Sequence, residues 1–418
     1  MSYLIGCRVI NNWKSLGGSW VWVAGEYISR LAISSQGGIW FEESYDGQLG
    51  MVAKVSSNVI KALAKGCECR FWVCVSRDKP FYAVYALVVY DSSEAPFVVY
   101  NFIMDTAPKY LVTRKGVGEA FAFCFIDETD AMVLSSSLRF VSSEGFIRSI
   151  ERLNCLPLSR PSSNDELFSA MDSFEVSLHE YLCRGEASDF EIGVAKCEFS
   201  DFSFNRVSHF NEYVQSTYLQ MGDIQGDIQE VQIYQMLSYC FKNLVYHAPN
   251  VTTGDKSREL IDVVALNGDG VLLVESKCIT VAADSSLETS RQNKNLTNNC
   301  HKAIGQIEGA VKAIRRYDVV ETDGEVLEIH KSKNIHGIVL ISEFIGRNGW
   351  HDIHAKLYEL SEKHDIKLHV FSLGDFSMTL KLCSRDDSIF TYLDKRFSIV
   401  KNSGELEVTI RDPSLPLS

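Results

Sequence analysis

No stretch of this 418-residue sequence approaches the roughly 20 consecutive apolar residues needed to cross a bilayer. Its opening residues, MSYLIGCRVINNWK, contain no basic segment followed by a long apolar run. The expectation is a soluble, cytoplasmic chain with no membrane partner. Also missing are a G-x-x-x-x-G-K-[ST] loop, a G-x-G-x-x-G turn after a strand and a G-x-S-x-G elbow, so nucleotide hydrolysis, dinucleotide binding and serine-hydrolase chemistry have no residues to carry them. If energy is needed, a partner ATPase or helicase supplies it. The 12 cysteines are spread over a long chain and often sit in apolar runs, as Cys74, Cys124 and Cys240 do, which suits a reducing compartment better than a disulfide scaffold. The tightest group, Cys67, Cys69 and Cys74, lacks C-x-x-C spacing and a nearby His pair, and is expected in a strand rather than around zinc.

Positive charge is short overall, with a formal net charge of -13, but the deficit is local. Residues 1–160 carry 16 Lys+Arg against 15 Asp+Glu, residues 161–240 carry 3 against 14, and residues 241–418 carry 22 against 25. Within the last part, Arg291, Lys294, Lys302, Lys312, Arg315 and Arg316 face only Glu308 between residues 291 and 316, a surplus that suits phosphates as well as it suits a solvated helix face.

A composition of 46% apolar and 23% charged residues is that of a globular chain, and its length exceeds what one core usually serves, so two domains are expected. Residues 1–155 read as mainly β, with β-branched and aromatic runs at 38–42, 70–75, 81–90 and 97–104 separated by turn formers. Five of the six Trp fall here, and Trp20 and Trp22 share one face of a strand; core packing is the expectation, with stacking on bases or a small effector as the alternative. The stretch LPLSRPSSND at 156–165 resists helix and ladder alike, which places a boundary there. After it, Leu167, Met171, Phe174, Leu178 and Leu182 recur at helical spacing above an acidic face. Residues 156–222 are accordingly expected to form a linker and an acidic helical connector.

From residue 223 the rhythm changes. A helix over 227–242 is followed by strands near 244–248, 260–266 and 271–279, a helix over 299–317, a strand over 335–342, a helix over 350–364 and a strand over 366–373. That order, αβββαβ with an added αβ unit, defines a mixed α/β domain over residues 223–400, with 401–418 as a tail. Its central segment, LIDVVALNGDGVLLVESKC, is two apolar strands around the turn formers Asn-Gly-Asp-Gly. Pairing Leu266 with Val271 sets Asp262 opposite Glu275, where cross-strand Cβ atoms lie about 4.5–5.5 Å apart. Lys277, two residues beyond Glu275, shares that face. Two carboxylates inside apolar strands repel each other and lose hydration, so they call for a cation, and oxygen ligands of this kind suit Mg²⁺ or Mn²⁺. His351 and His354 at i,i+3 have no third partner in view and are expected on a surface helix.

Asp262, a twelve-residue gap and Glu275-Ser276-Lys277 resemble the PD-(D/E)XK nuclease superfamily, whose core has the αβββαβ order read above. The resemblance implies that Asp262, Glu275 and the carbonyl of Ser276 hold a divalent metal and that Lys277 serves the attacking water. Members that add a glutamate on the preceding helix imply a role for Glu230, which heads a stripe with Tyr234, Leu237 and Phe241. Members that use a glutamine on the helix after the third strand imply one for Gln306. The chain departs from the family where Ile261 stands in place of proline and where no Q-x-x-x-Y follows Gln306. The implied activity is an endonuclease acting on DNA, with the β-rich half as a sensor, specificity or assembly domain, by analogy with restriction or anti-phage defence. RNA as substrate and a non-catalytic nucleic-acid-binding or scaffold protein remain open, as does homo-oligomerisation.

Overall fold

The computed structural model describes residues 13–16, 19–22, 37–43, 49–90, 96–103, 120–159, 161–204, 206–210, 215–219, 225–242, 244–253, 256–268, 270–278, 289–316, 319–322, 325–329, 334–342, 344, 350–386, 389–406 and 408. They divide into two compact units, residues 1–205 and 206–417.

In the first unit, β1 (Trp13–Leu16) and β2 (Ser19–Trp22) pair as a hairpin in which Trp13 faces Trp22. Eight further strands are β3 (Gly38–Glu43), β4 (Leu49–Lys54), β5 (Glu68–Ser76), β6 (Ala83–Tyr90), β7 (Phe97–Phe102), β8 (Ala120–Ile126), β9 (Met132–Ser142) and β10 (Phe190–Phe204). They form one sheet in the order β3-β4-β8-β9-β10-β5-β6-β7. Neighbours are antiparallel except β4 and β8. The sheet curls until its edges meet, because the Ile39 N–H of β3 donates to Asn101 Oδ1 of β7 at 3.1 Å. Phe41, Phe71, Tyr85 and Phe140 fill the interior, with the rings of Phe41 on β3 and Tyr85 on β6 5.4 Å apart. The strands expected at 38–42, 70–75, 81–90 and 97–104 are β3, β5, β6 and β7. Trp72 is buried, in keeping with core packing, and Cys69 and Cys74 lie in β5, in keeping with strand positions.

Among the described residues this unit also holds the helices α1 (Ser57–Ala64), α2 (Glu144–Cys155) and α3 (Asn164–Arg184). Ser143 and Ser163 cap α2 and α3 by accepting the N–H of Phe146 and Glu166, and Gly185, at φ 77°, ends α3 in the left-handed conformation that glycine adopts without strain. Helix α2 lies close against β10, where a Cβ on Gly193 would sit 2.6 Å from Ser149 Oγ.

The structure corrects the linker expected at 156–222. Helix α3 buries Leu167, Ala170 and Phe174, and Phe174 joins Trp72, Val84, Ala86, Val88 and Phe190 in one apolar cluster on the sheet. Strand β10 then lies between β9 and β5. The acids of α3 serve the same unit: Tyr100 O–H donates to Glu175 at 2.8 Å and the Ser188 N–H to Glu180 at 2.9 Å. The Pro/Ser-rich stretch is a crossing tied down by the Ser159 N–H on the Phe81 carbonyl, not a domain boundary.

In the second unit a hairpin of β11 (Arg206–Phe210) and β12 (Gln215–Leu219) precedes α4 (Gln225–Phe241). There follow β13 (Val245–His247), β14 (Asn250–Thr253), β15 (Lys256–Glu259), β16 (Val263–Leu266), β17 (Gly270–Lys277), α5 (Thr289–Arg316), β18 (Val319–Thr322), β19 (Glu325–Glu328), β20 (Asn334–Ile341), α6 (Trp350–His364), β21 (Lys367–Ser372), α7 (Leu373–Asp386) and α8 (Ile389–Ser403). The main sheet is mixed, in the order β13-β16-β17-β20-β21, antiparallel through β17 and parallel beyond it. A second sheet, β15-β14-β18-β19, is inserted. The protein is thus mixed α/β.

Strand β17 is apolar on both faces because both are covered. Val264, Val271 and Leu273 pack with Ile304, Ile307 and Val311 of α5 and Leu357 of α6. Val263, Leu272 and Val274 pack with Ile233 and Leu237 of α4, Phe376 of α7 and Leu393 of α8. Helix α5 sits low on the sheet at Gly337, where a Cβ would lie 2.6 Å from Ile307 Cγ2. The tail expected from residue 401 begins later, since α8 runs to Ser403 and buried Leu406 gives its carbonyl to the Arg396 guanidinium at 2.7 Å. Residues 409–418 lie outside the described set.

Candidate active site

The β16–β17 hairpin has the register expected from its sequence, with Leu266 facing Val271 and Val263 facing Val274. Its turn is closed by the Gly270 N–H on Asn267 Oδ1 at 3.0 Å and the Asn267 N–H on the Gly270 carbonyl. One step beyond β16 the same register brings Asp262 to Glu275. Asp262 Oδ2 accepts the Ser276 N–H at 2.6 Å, and its own carbonyl accepts the Ala248 N–H at 2.7 Å. The Glu275 side chain is 1% exposed; Lys277 Nζ donates to its Oε1 at 2.5 Å. Its Oε2 is buried with no hydrogen-bond partner among the described residues.

These surroundings disfavour two negative charges. Burial, reinforced by the charge of Glu275, pushes the Asp262 carboxyl up to about 7, against the pull of the Ser276 N–H. Burial also raises Glu275, against the stabilising contact with Lys277. An ion pair supplies one cation for two acids, and the second oxygen of Glu275 has none.

Helix α4 adds side chains from its first turns. Gln229 Nε2 donates to Ser276 Oγ at 2.8 Å, so the N–H and the hydroxyl of Ser276 are both engaged. Glu230 lies near enough for its charge to raise both Asp262 and Glu275, and its Oε2 meets His247 Nε2 at 3.4 Å. The His247 imidazole is held protonated to higher pH by Glu230 first, against the effect of burial. Glu259, at the end of β15, adds negative charge felt by Glu275 and His247. Sequence reading missed Gln229, His247 and Glu259. Gln229 adjoins Glu230 and the other two flank short strands whose pairing no local pattern announces.

Gln306 makes no hydrogen bond to this group among the described residues. It lies exposed on α5, while its neighbour Ile307 packs at the level of Gly337, two register steps short of the Val339 that pairs with Glu275. The buried stripe of α5 faces the sheet and Gln306 lies on its exposed side. The basic residues separate likewise. Lys294 and Lys302 are exposed. Lys312 pairs with Glu308 at 2.7 Å, alongside Lys363 and His364, and Arg315 donates to the His364 carbonyl. The last turns of α5 are thus tied to α6. Arg316 is exposed, and the Arg291 side chain lies outside the described residues. His354 meets the Val400 carbonyl at 3.2 Å and His351 is exposed, which agrees with a surface helix.

Among the described residues, no group of three or more His, Cys, Asp and Glu side chains is close enough to hold a metal ion. A donor set of two carboxylates still fits a hard cation, because Mg²⁺ commonly takes one or two carboxylates and fills its shell with water and phosphate. The unpartnered, buried Glu275 Oε2 is the feature such an ion would satisfy. Compared with known proteins, the chain matches no family model, no curated protein and no solved structure.

Proposed function

We propose that this chain is a divalent-metal-dependent endonuclease that hydrolyses phosphodiester bonds of DNA at a PD-(D/E)XK-type centre in its second unit. One observation carries the reading: Asp262, one residue before β16, accepts the N–H of Ser276 beside Glu275 on β17, with Lys277 on Glu275 and one Glu275 oxygen buried without a hydrogen-bond partner among the described residues. The αβββαβ succession formed by α4, β13, β16, β17, α5 and β20 supports it. Asp262, Glu275 and the Ser276 carbonyl would hold Mg²⁺ or Mn²⁺, which when bound polarises the phosphate and lowers the pKa of a bound water.

The protein's own groups set the remaining chemistry. Lys277 Nζ, fixed on Glu275 Oε1, is placed to orient the attacking water or to neutralise charge growing at phosphorus. The Ser276 N–H orients Asp262, Gln229 anchors Ser276, and Glu230 contributes a third carboxylate at the rim. The exposed Lys294 and Lys302 supply phosphate contacts. The first unit serves as sensor, specificity or assembly domain, in the manner of a regulated nuclease of restriction or anti-phage defence. RNA is the substrate the same chemistry would also accept.

The test separates cutting from binding. Wild type and Asp262→Ala are offered circular and linear duplex DNA, single-stranded DNA and RNA, with cleavage and gel retardation read in parallel. The proposal expects cleavage of DNA by wild type, and binding without cleavage by the variant. Equal binding by both with no cleavage by either would favour a nucleic-acid-binding scaffold.

A further inference from the structure

We infer that His247 is a positioning residue of this centre, holding the Glu230 carboxylate at the rim of the Asp262/Glu275 pair so that the α4 acid faces a divalent cation there. The inference rests on the metal-centre reading above and adds to it a residue and a role.

Glu230 occupies the second turn of α4, on a flexible side chain that is 27% exposed, next to Gln229, which bonds Ser276, and near enough for Asp262 and Glu275 to feel its like charge. Repulsion alone would turn such a side chain to solvent. His247 opposes this, with Nε2 3.4 Å from Glu230 Oε2. The imidazole is itself well placed. Its ring lies 6.0 Å from that of Tyr234, one helical turn after Glu230, so His247 spans a turn of α4.

The backbone of His247 is tied to the acidic hairpin. His247 faces Val263 in the β13–β16 ladder, and the next residue, Ala248, donates its N–H to the Asp262 carbonyl at 2.7 Å. One three-residue strand therefore links the acid of α4 to Asp262, the acid just before β16. A donor that orients a ligating carboxylate from behind commonly accounts for roughly 10- to 100-fold in metal affinity.

The experiment is Mn²⁺ binding by the full chain, followed by calorimetry, for wild type, His247→Ala, His247→Gln, Glu230→Gln and the double variant Glu230→Gln/His247→Ala. Thermal unfolding of each reports whether it folds. The expected result is a roughly 10- to 100-fold weaker dissociation constant for His247→Ala. Partial recovery is expected in His247→Gln, which keeps an N–H donor, and no further loss when His247→Ala is added to Glu230→Gln. Unchanged affinity in His247→Ala, or a loss that simply adds to that of Glu230→Gln, would overturn the inference while leaving the metal centre standing. Wild type that binds no Mn²⁺ would overturn the metal centre and this inference with it.

Discussion

At the scale of single residues, Asp262 is costly to the protein that keeps it. Asp262 is 6% exposed, and its carboxyl is raised to about 7 by burial and by Glu275, whereas in the unfolded chain it titrates near 3.9. A group raised on folding stabilises fully below its unfolded value and loses that contribution as pH rises through its folded value. In EDTA at pH 8, Asp262→Asn should therefore unfold later than wild type, by roughly 2 kcal/mol, since Asn removes the charge and keeps an oxygen for the Ser276 N–H. The same variant should lose cleavage. Equal or lower stability in denaturant titrations would remove the reason for calling this pair strained. Asp262, Glu275 and Lys277 were legible in the sequence because a short turn fixes the register and strand alternation fixes the face. His247 and Gln229 were not, because their partners Glu230 and Ser276 lie 17 and 47 residues away and no local pattern reports such distances.

At the scale of elements, α5 and the β20–β21 ladder make separate predictions. The exposed Lys302 should contact phosphate, so Lys302→Ala should flatten the dependence of log affinity on log salt concentration by about 0.9, as read from fluorescence anisotropy with duplex DNA in Ca²⁺. Lys312→Ala should leave that slope unchanged, because Lys312 is engaged by Glu308. Equal slopes for wild type and Lys302→Ala would remove α5 from the nucleic-acid surface. On β20 and β21, His336 and His369 stack with ring nitrogens 3.1 Å apart, both buried. Burial pushes His336 down to about 4, with Asp394 opposing and Lys367 adding to the shift. Burial also lowers His369, helped by Arg396, His336 and Lys367. Imidazoles depressed on folding stabilise the protein above the unfolded value near 6.5 and withdraw that stability as pH falls toward 4. His336 alone should withdraw roughly 2 kcal/mol by pH 5. The difference in unfolding free energy between wild type and His336→Leu/His369→Leu isolates this contribution from the carboxylates, and it should shrink as pH falls from 7 to 5. A difference independent of pH would show that the pair is not held neutral. Helix α5 itself was legible in its buried stripe but begins at Thr289, because its first turns are amides and cations with little apolar period to reveal them.

At the scale of the whole molecule, the chain divides into two compact units, residues 1–205 and 206–417, and no helix among the described residues is long and apolar enough to cross a membrane. Residues 156–165 have the proline and serine content of a linker, yet they cross the surface between α2 and α3 of one unit, and β10 then returns to the middle of the first sheet. Long-range strand pairing of that kind leaves no local trace, which is why the boundary read from composition fell about 50 residues early. A fragment of residues 1–205 should accordingly unfold cooperatively. A fragment of residues 1–155 should not, since it lacks the strand that joins β9 to β5 and the helix that covers Trp72. Cooperative unfolding of the shorter fragment in circular dichroism melts would contradict this partition.

The central claim is that Asp262, Glu275 and Lys277 form a metal-dependent phosphodiesterase centre, and the most direct measurement is cleavage of circular duplex DNA by the full chain in Mg²⁺ and in EDTA, beside Lys277→Ala. Nicking or linearisation is expected in Mg²⁺, none in EDTA, and a loss of about 10²- to 10⁴-fold in Lys277→Ala. Cleavage that persists in EDTA, or that Lys277→Ala leaves at the wild-type rate, would contradict the claim.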